Sequence, residues 1–159
     1  MQTTVRDLQA LVDKLRVATR GGEANPHKYV LLLTIASILE KQPTHPNRFT
    51  FEELEPAFQV QFESSFPQWP AERRHLEYPF YHLQSDGFWH LHIKAGFEDR
   101  YRVHQQTRLT RNRLLETVEF AYLDDTVLLA LRTREGRALL DRAVDEATDP
   151  GYCATPVSR

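Results

Sequence analysis

A single cysteine, Cys153, leaves this chain without an internal disulfide, and its place near the tail suggests neither a metal cluster nor a nucleophile. A reducing cytoplasm is therefore the expected location. No stretch approaches the roughly 20 consecutive apolar residues that a membrane span requires. The opening residues, MQTTVRDLQALVDKLR, alternate charge with apolar side chains and lack the unbroken apolar core of a secretory signal. A strong charge of one sign is also missing: the net charge is −2, whereas a wholesale nucleic-acid binder is usually basic. Gly-rich phosphate loops are absent too, since Gly21-Gly22 stands between two helical patterns with no lysine of the required kind behind it. No serine sits in a nucleophile elbow.

What is present suits one soluble domain. The 159 residues are 41% apolar and 26% charged, enough to bury a core without staples. The average charge hides a local excess. Lys94, Arg100, Arg102, Arg108, Arg111 and Arg113 are opposed within their stretch only by Glu98 and Asp99. Such segregation can hold a polyanion on one face, although a solvated helix face explains the same arginines.

Apolar spacing predicts a first amphipathic helix over 4–19 and a helix buried on most sides over 27–41, opened by Asn25-Pro26. Thr50, with Glu53 three residues on, reads as the cap of a helix reaching about Phe66. Residues 80–93 carry the clearest β signal. Asp86-Gly87 fits a two-residue turn, which would pair Gln84 with Trp89 and His82 with Leu91 in a hairpin. Helices are expected over 108–122, after Asp124 or Asp125, and from Thr133 to about Ala147. The fold class that follows is α+β: a helix-rich single domain, residues 1–148, around a β-hairpin, with 149–159 as a tail or linker.

Seven histidines raise the question of a metal. His90 and His92 share a strand face, but no third and fourth ligand follow at short range, so hydrogen-bonding or stacking roles fit better. Glu52, Glu53 and Glu55 fall in a capping context. No metal, cofactor or catalytic residue is expected, and the chain reads as a binding domain. By spacing alone, the aromatic run Glu77 to Trp89 suits a core.

Two motifs together carry a resemblance. Asn25-Pro26-His27-Lys28 with the apolar run Tyr29 to Ile35, and Tyr78-Pro79-Phe80-Tyr81-His82-Leu83-Gln84-Ser85-Asp86-Gly87-Phe88-Trp89, resemble the sulfur-binding domains of McrA-like type IV restriction endonucleases. Those enzymes attack phosphorothioate-modified foreign DNA. Phe51 to Phe58 fits the middle helix of these domains, and the likeness spans about residues 5–95. Tyr81 stands where tryptophan is commoner, and no HNH nuclease module is present, so the resemblance implies a reader of modified double-stranded DNA in bacterial defence. Cleavage would need a separate nuclease domain or subunit.

The resemblance implies a sulfur pocket at Tyr78 and Pro79, with His82 beside them. Sulfur is larger, more polarisable and a poorer hydrogen-bond acceptor than oxygen, so an apolar hollow favours it by dispersion. An oxygen stripped of water there loses about 1–3 kcal/mol, roughly 5–150-fold in affinity. His27 and Lys28, at a helix start, are the expected donors to the anionic oxygen. Arg73, Arg74, His75, Gln84, Arg100 and Arg102 are the expected contacts to bases or flanking phosphates. Two other classes fit the same residues: a protein-interaction module, and a DNA binder that reads sequence without sulfur.

Overall fold

A computed structural model describes residues 2–15, 19–20 and 23–148, with side chains from residue 7 onward apart from 16–24. The expected tail therefore lies outside the described residues, as does part of the stretch assigned to the first helix. The elements run α1 (Gln2–Asp13), β1 (Thr19–Arg20), β2 (Glu23–Ala24), α2 (His27–Lys41), α3 (Phe51–Ser65) and α4 (Glu77–His82). They continue with β3 (Trp89–Ile93), α5 (Glu98–Thr107), α6 (Arg111–Thr117), β4 (Val118–Leu123), α7 (Asp125–Leu131) and α8 (Arg134–Thr148). Two short 3-10 turns, Ala71–Arg73 and Leu83–Asp86, flank α4. The architecture is the helix-rich α+β domain expected.

The centre is α2. Val30, Leu31, Leu32, Ile35 and Leu39 are completely buried, so nearly every side of this helix meets protein. Against it pack the α3 face of Leu54, Phe58 and Phe62, spaced by four residues. Thr50 opens α3 by accepting the Glu53 backbone N–H at 3.1 Å. Pro56 lies in the second turn of α3.

The hairpin expectation fails on its partner. Residues 77–82 are helical, and the following Leu83–Asp86 is a 3-10 turn. β3 pairs instead with β4, about thirty residues on, in antiparallel register with His90 opposite Tyr122 and His92 opposite Phe120. The reason is burial period. Leu76, Pro79, Phe80 and Leu83 are the buried positions, a spacing that a helix satisfies and a strand does not. Asp86-Gly87 does not form the expected turn, because a type I′ turn needs two positive φ angles and only Gly87 has one, at 93°. Gly87 instead ends the 3-10 turn.

The helix expected over 108–122 is also shorter than its pattern suggested. It begins at Arg111, capped by Thr110, and stops at Thr117. From Val118 burial alternates, with Ala121 and Leu123 inside and Glu119 and Tyr122 outside, which makes β4. Ala121 also exchanges both backbone hydrogen bonds with Phe49 at 2.8 Å, tying the loop before α3 to the free edge of β4.

α7 and α8 meet at Gly136. The Thr133 hydroxyl donates to the Ala130 carbonyl (2.7 Å) and accepts the Gly136 N–H (2.9 Å), capping α8 where it was expected to start. A Cβ on Gly136 would fall 1.9 Å from the Ala130 carbonyl oxygen, a backbone atom that cannot move aside. Gly136→Ala is accordingly expected to destabilise the domain by about 3 kcal/mol. Urea unfolding checks this, and an unchanged midpoint would show that the α7–α8 contact yields.

Candidate nucleic-acid interface

A cleft of about 490 Å³ opens between α4 and the end of α5. One wall carries His75, Glu77, Tyr78, Tyr81 and His82; the other carries Gln105, Thr107, Arg108 and Leu109. The Tyr78 and His82 rings lie 4.6 Å apart and form its aromatic floor. Two of the three expected pocket residues thus meet at one place. Pro79, the third, is buried in the first turn of α4 and does not line the cleft. Proline fits there because the first helical N–H groups have no partner within the helix.

Partial burial, and then the nearby Lys28 charge, lower the His82 pKa from the usual value and so favour the neutral imidazole. A neutral ring offers a softer, less polar surface than an imidazolium. His82 stands edge-on to Tyr81 at 5.0 Å. No hydrogen-bond partner for the Tyr78 hydroxyl or the His82 ring nitrogens is found among the described residues.

The expected oxygen donors turn inward. His27 is 5% exposed, its Nε2 donates to the Arg73 carbonyl at 2.6 Å, and its Nδ1 meets the Asn25 carboxamide. Phe62, Trp69 and Tyr78 surround the ring edge-to-face, and burial lowers its pKa. It therefore stands behind Tyr78 and ties it to the 71–73 turn. Lys28 is paired with Asp86 at 2.6 Å, both side chains 4% exposed. That bond fastens the start of α2 to the turn that follows α4.

The arginines divide. Arg74 is a structural knot: its guanidinium bonds the Trp69 and Pro67 carbonyls and pairs with Glu63 at 2.6 Å. Arg73 is exposed, and His75 reaches the cleft wall. Gln84 donates to the Tyr81 carbonyl (2.9 Å) and does not line the cleft. Arg100 pairs with Glu116 and Arg102 with Asp99. Glu116 also takes His104 Nε2 at 3.0 Å, and these two hydrogen bonds, His104 first, hold its carboxyl below the usual range. Arg111 grips Glu55 with two nitrogens.

Arg108 is different: it belongs to the basic run from Lys94 to Arg113 that was expected to meet a polyanion, though it was not singled out within that run. It is exposed, lines the cleft, and has no carboxylate partner among the described residues. Its own carbonyl accepts Arg113 Nη1 at 2.6 Å, and the same guanidinium reaches Thr107 Oγ1 at 3.1 Å. The loop is thus stapled in place, with the exposed Arg108 side chain lining the cleft and no carboxylate paired to it among the described residues. The signal was legible in the basic run from Lys94 to Arg113, but only the partners of the other arginines single Arg108 out.

His90 and His92 lie elsewhere, on the outer face of the sheet. His92 stacks on Phe120 at 4.7 Å and His90 tilts over Tyr122 at 5.1 Å. Each also faces a carboxylate, Asp124 or Glu119.

A family model described as ScoMcrA-like, DNA sulfur-binding domain, matches residues 5–134. The match runs well past Gly96 and contains both walls of the cleft. No curated protein matches the chain significantly.

Removing one member of the buried Lys28–Asp86 pair should be costly, because the other charge stays out of water. Asp86→Asn is expected to lose about 3 kcal/mol of stability. Lys28→Met combined with Asp86→Leu should recover much of that loss. Thermal and urea unfolding of the two variants decide the point, and a single variant as stable as wild type would mean the pair is solvated.

Proposed function

Because the chain belongs to the ScoMcrA-like DNA sulfur-binding domain family, we propose that it reads phosphorothioate-modified duplex DNA through the cleft between α4 and the Thr107–Leu109 loop. DNA binding is the family's function; the location of the sulfur contact is the further step. The observation that carries it is the aromatic floor, Tyr78 and His82 side by side 4.6 Å apart within the region that the family model matches.

The chemistry agrees with that assignment. Sulfur resting on the Tyr78 ring and the neutral His82 ring gains dispersion and gives up little hydration, whereas oxygen there loses water. The anionic phosphate still needs a cation, and Arg108 on the facing wall supplies one. His75 stands at the same opening. Arg73, exposed at the adjoining turn, would take a flanking phosphate or a base. Lys28 acts from within: its charge bears on His82 without its side chain reaching solvent. His27 and Arg74 hold the wall rather than touch DNA. The domain so described is a reader, and cutting would be the work of a nuclease domain or subunit joined to it.

Titration of matched duplexes at one fixed salt concentration tests this reading. The phosphorothioate duplex should bind roughly 5–150-fold tighter than its oxygen twin. Equal affinities would sink the sulfur assignment, and failure to bind either duplex would point to a protein-interaction module.

Arg108→Ala should weaken both duplexes alike and flatten the salt dependence by about one unit, the signature of one lost phosphate contact. If affinity falls while the salt slope stays as in wild type, Arg108 does not neutralise the backbone.

A further inference from the structure

Tyr81 brings a hydroxyl into the cleft wall, and the hydroxyl is held there. Gln105 Nε2 donates to Tyr81 Oη at 3.0 Å, reaching from α5 to α4 across the cleft. A phenolic hydroxyl can accept and also donate. With Gln105 on the accepting side, the O–H proton has no acceptor among the described residues. The ring is fixed as well, edge-on to His82 at an interplanar angle of 82°, and the Tyr81 carbonyl receives Gln84 Nε2. Tyr78 lines the same cleft, but its hydroxyl has no such anchor among the described residues. An oriented donor facing a ligand site needs little reorganisation when an anion arrives.

We propose that Tyr81 is a specificity-determining residue: its O–H donates to the non-bridging oxygen of the phosphorothioate and thereby selects one of the two diastereomers at phosphorus. The proposal rests on the sulfur-reading function above. A phosphorus with one sulfur and one oxygen in its non-bridging positions is a stereocentre, because its other two bonds lead to the 3′ and 5′ sides of a directional strand. Reading it takes two different contact points. The Tyr78–His82 floor prefers sulfur, and the Tyr81 hydroxyl prefers oxygen, the better hydrogen-bond acceptor. In one diastereomer both preferences are met. In the other, oxygen is desolvated against the rings while sulfur faces the hydroxyl. Gln105 is a positioning residue, acting through the hydroxyl it orients.

The test uses three duplexes of one sequence: each separated diastereomer of a single phosphorothioate, and the all-oxygen form. Wild type, Tyr81→Phe and Gln105→Ala are titrated with each at one salt concentration, with circular dichroism melting as the folding control. Wild type should prefer one diastereomer. Tyr81→Phe should weaken that isomer by about tenfold, weaken the all-oxygen duplex as well because it also presents an oxygen to the hydroxyl, and leave the other isomer little changed, so that the ratio between isomers shrinks. Gln105→Ala, at an exposed position, should shift the ratio in the same direction by less. Wild-type selectivity for sulfur with an unchanged isomer ratio in Tyr81→Phe overturns the role of Tyr81 alone. Wild type that does not separate sulfur from oxygen overturns the sulfur reading and this inference with it.

Discussion

Lys28 and Asp86 meet 2.6 Å apart with their side chains almost sealed from water, and the geometry around the cleft depends on that meeting. A charge placed so deep is tolerated because an opposite charge lies against it. Lys28 belongs to the start of α2, the helix that the core surrounds. Asp86 ends the turn that continues α4, the helix that supplies the cleft floor. The pair therefore sets the distance between the most rigid part of the molecule and the part that faces a ligand. It also places a positive charge near His82, which adds to the effect of burial in lowering that ring's pKa. His27, the residue before Lys28, does the complementary task from the other side by holding the Arg73 carbonyl and backing Tyr78. Two adjacent residues at one helix start thus order both ends of the cleft wall.

The charge balance has the same local character. A net charge of −2 gives no sign of a polyanion site. Most arginines of the basic stretch are committed: Arg100 to Glu116, Arg102 to Asp99, Arg111 to Glu55, Arg113 to its own loop. Exposed pairs of this kind stabilise the fold little, but each offsets the charge of its cation locally. What is left uncommitted matters more than the sum. Arg108 at the cleft and Arg73 beside it are the examples.

Much of this was legible in the sequence, and the failures have physical causes. The buried α2, the Thr50 cap of α3 and the Thr133 start of α8 follow from apolar period and short polar caps, which are local signals. Tyr78 and His82, brought forward by their motif, lie with their rings 4.6 Å apart. The β pairing was missed because β3 and β4 are partners across two intervening helices, and no local pattern names a partner. Asp86-Gly87 misled because one positive φ serves a helix end as readily as a hairpin. The spacing of Leu76, Pro79, Phe80 and Leu83 carried the right answer but competed with a strong strand composition. His27 and Lys28 were read as outward donors since a helix start favours anions. Only the fold shows that both spend their polar groups indoors, where Arg73 and Asp86 await them.

The cleft's two walls come from residues 75–82 and 105–109, with β3 and most of α5 between them. In the unfolded chain those walls are separate segments of a loose coil, and no cleft exists for a ligand to enter. Whatever binds there binds the folded form alone. Ligand binding and folding are therefore one coupled equilibrium, and under the function proposed above occupancy by DNA draws the population toward the folded state by mass action. A substitution that loosens α5 far from the floor weakens the grip on a ligand in the cleft by the same route, through the fraction of molecules in which the walls stand opposed.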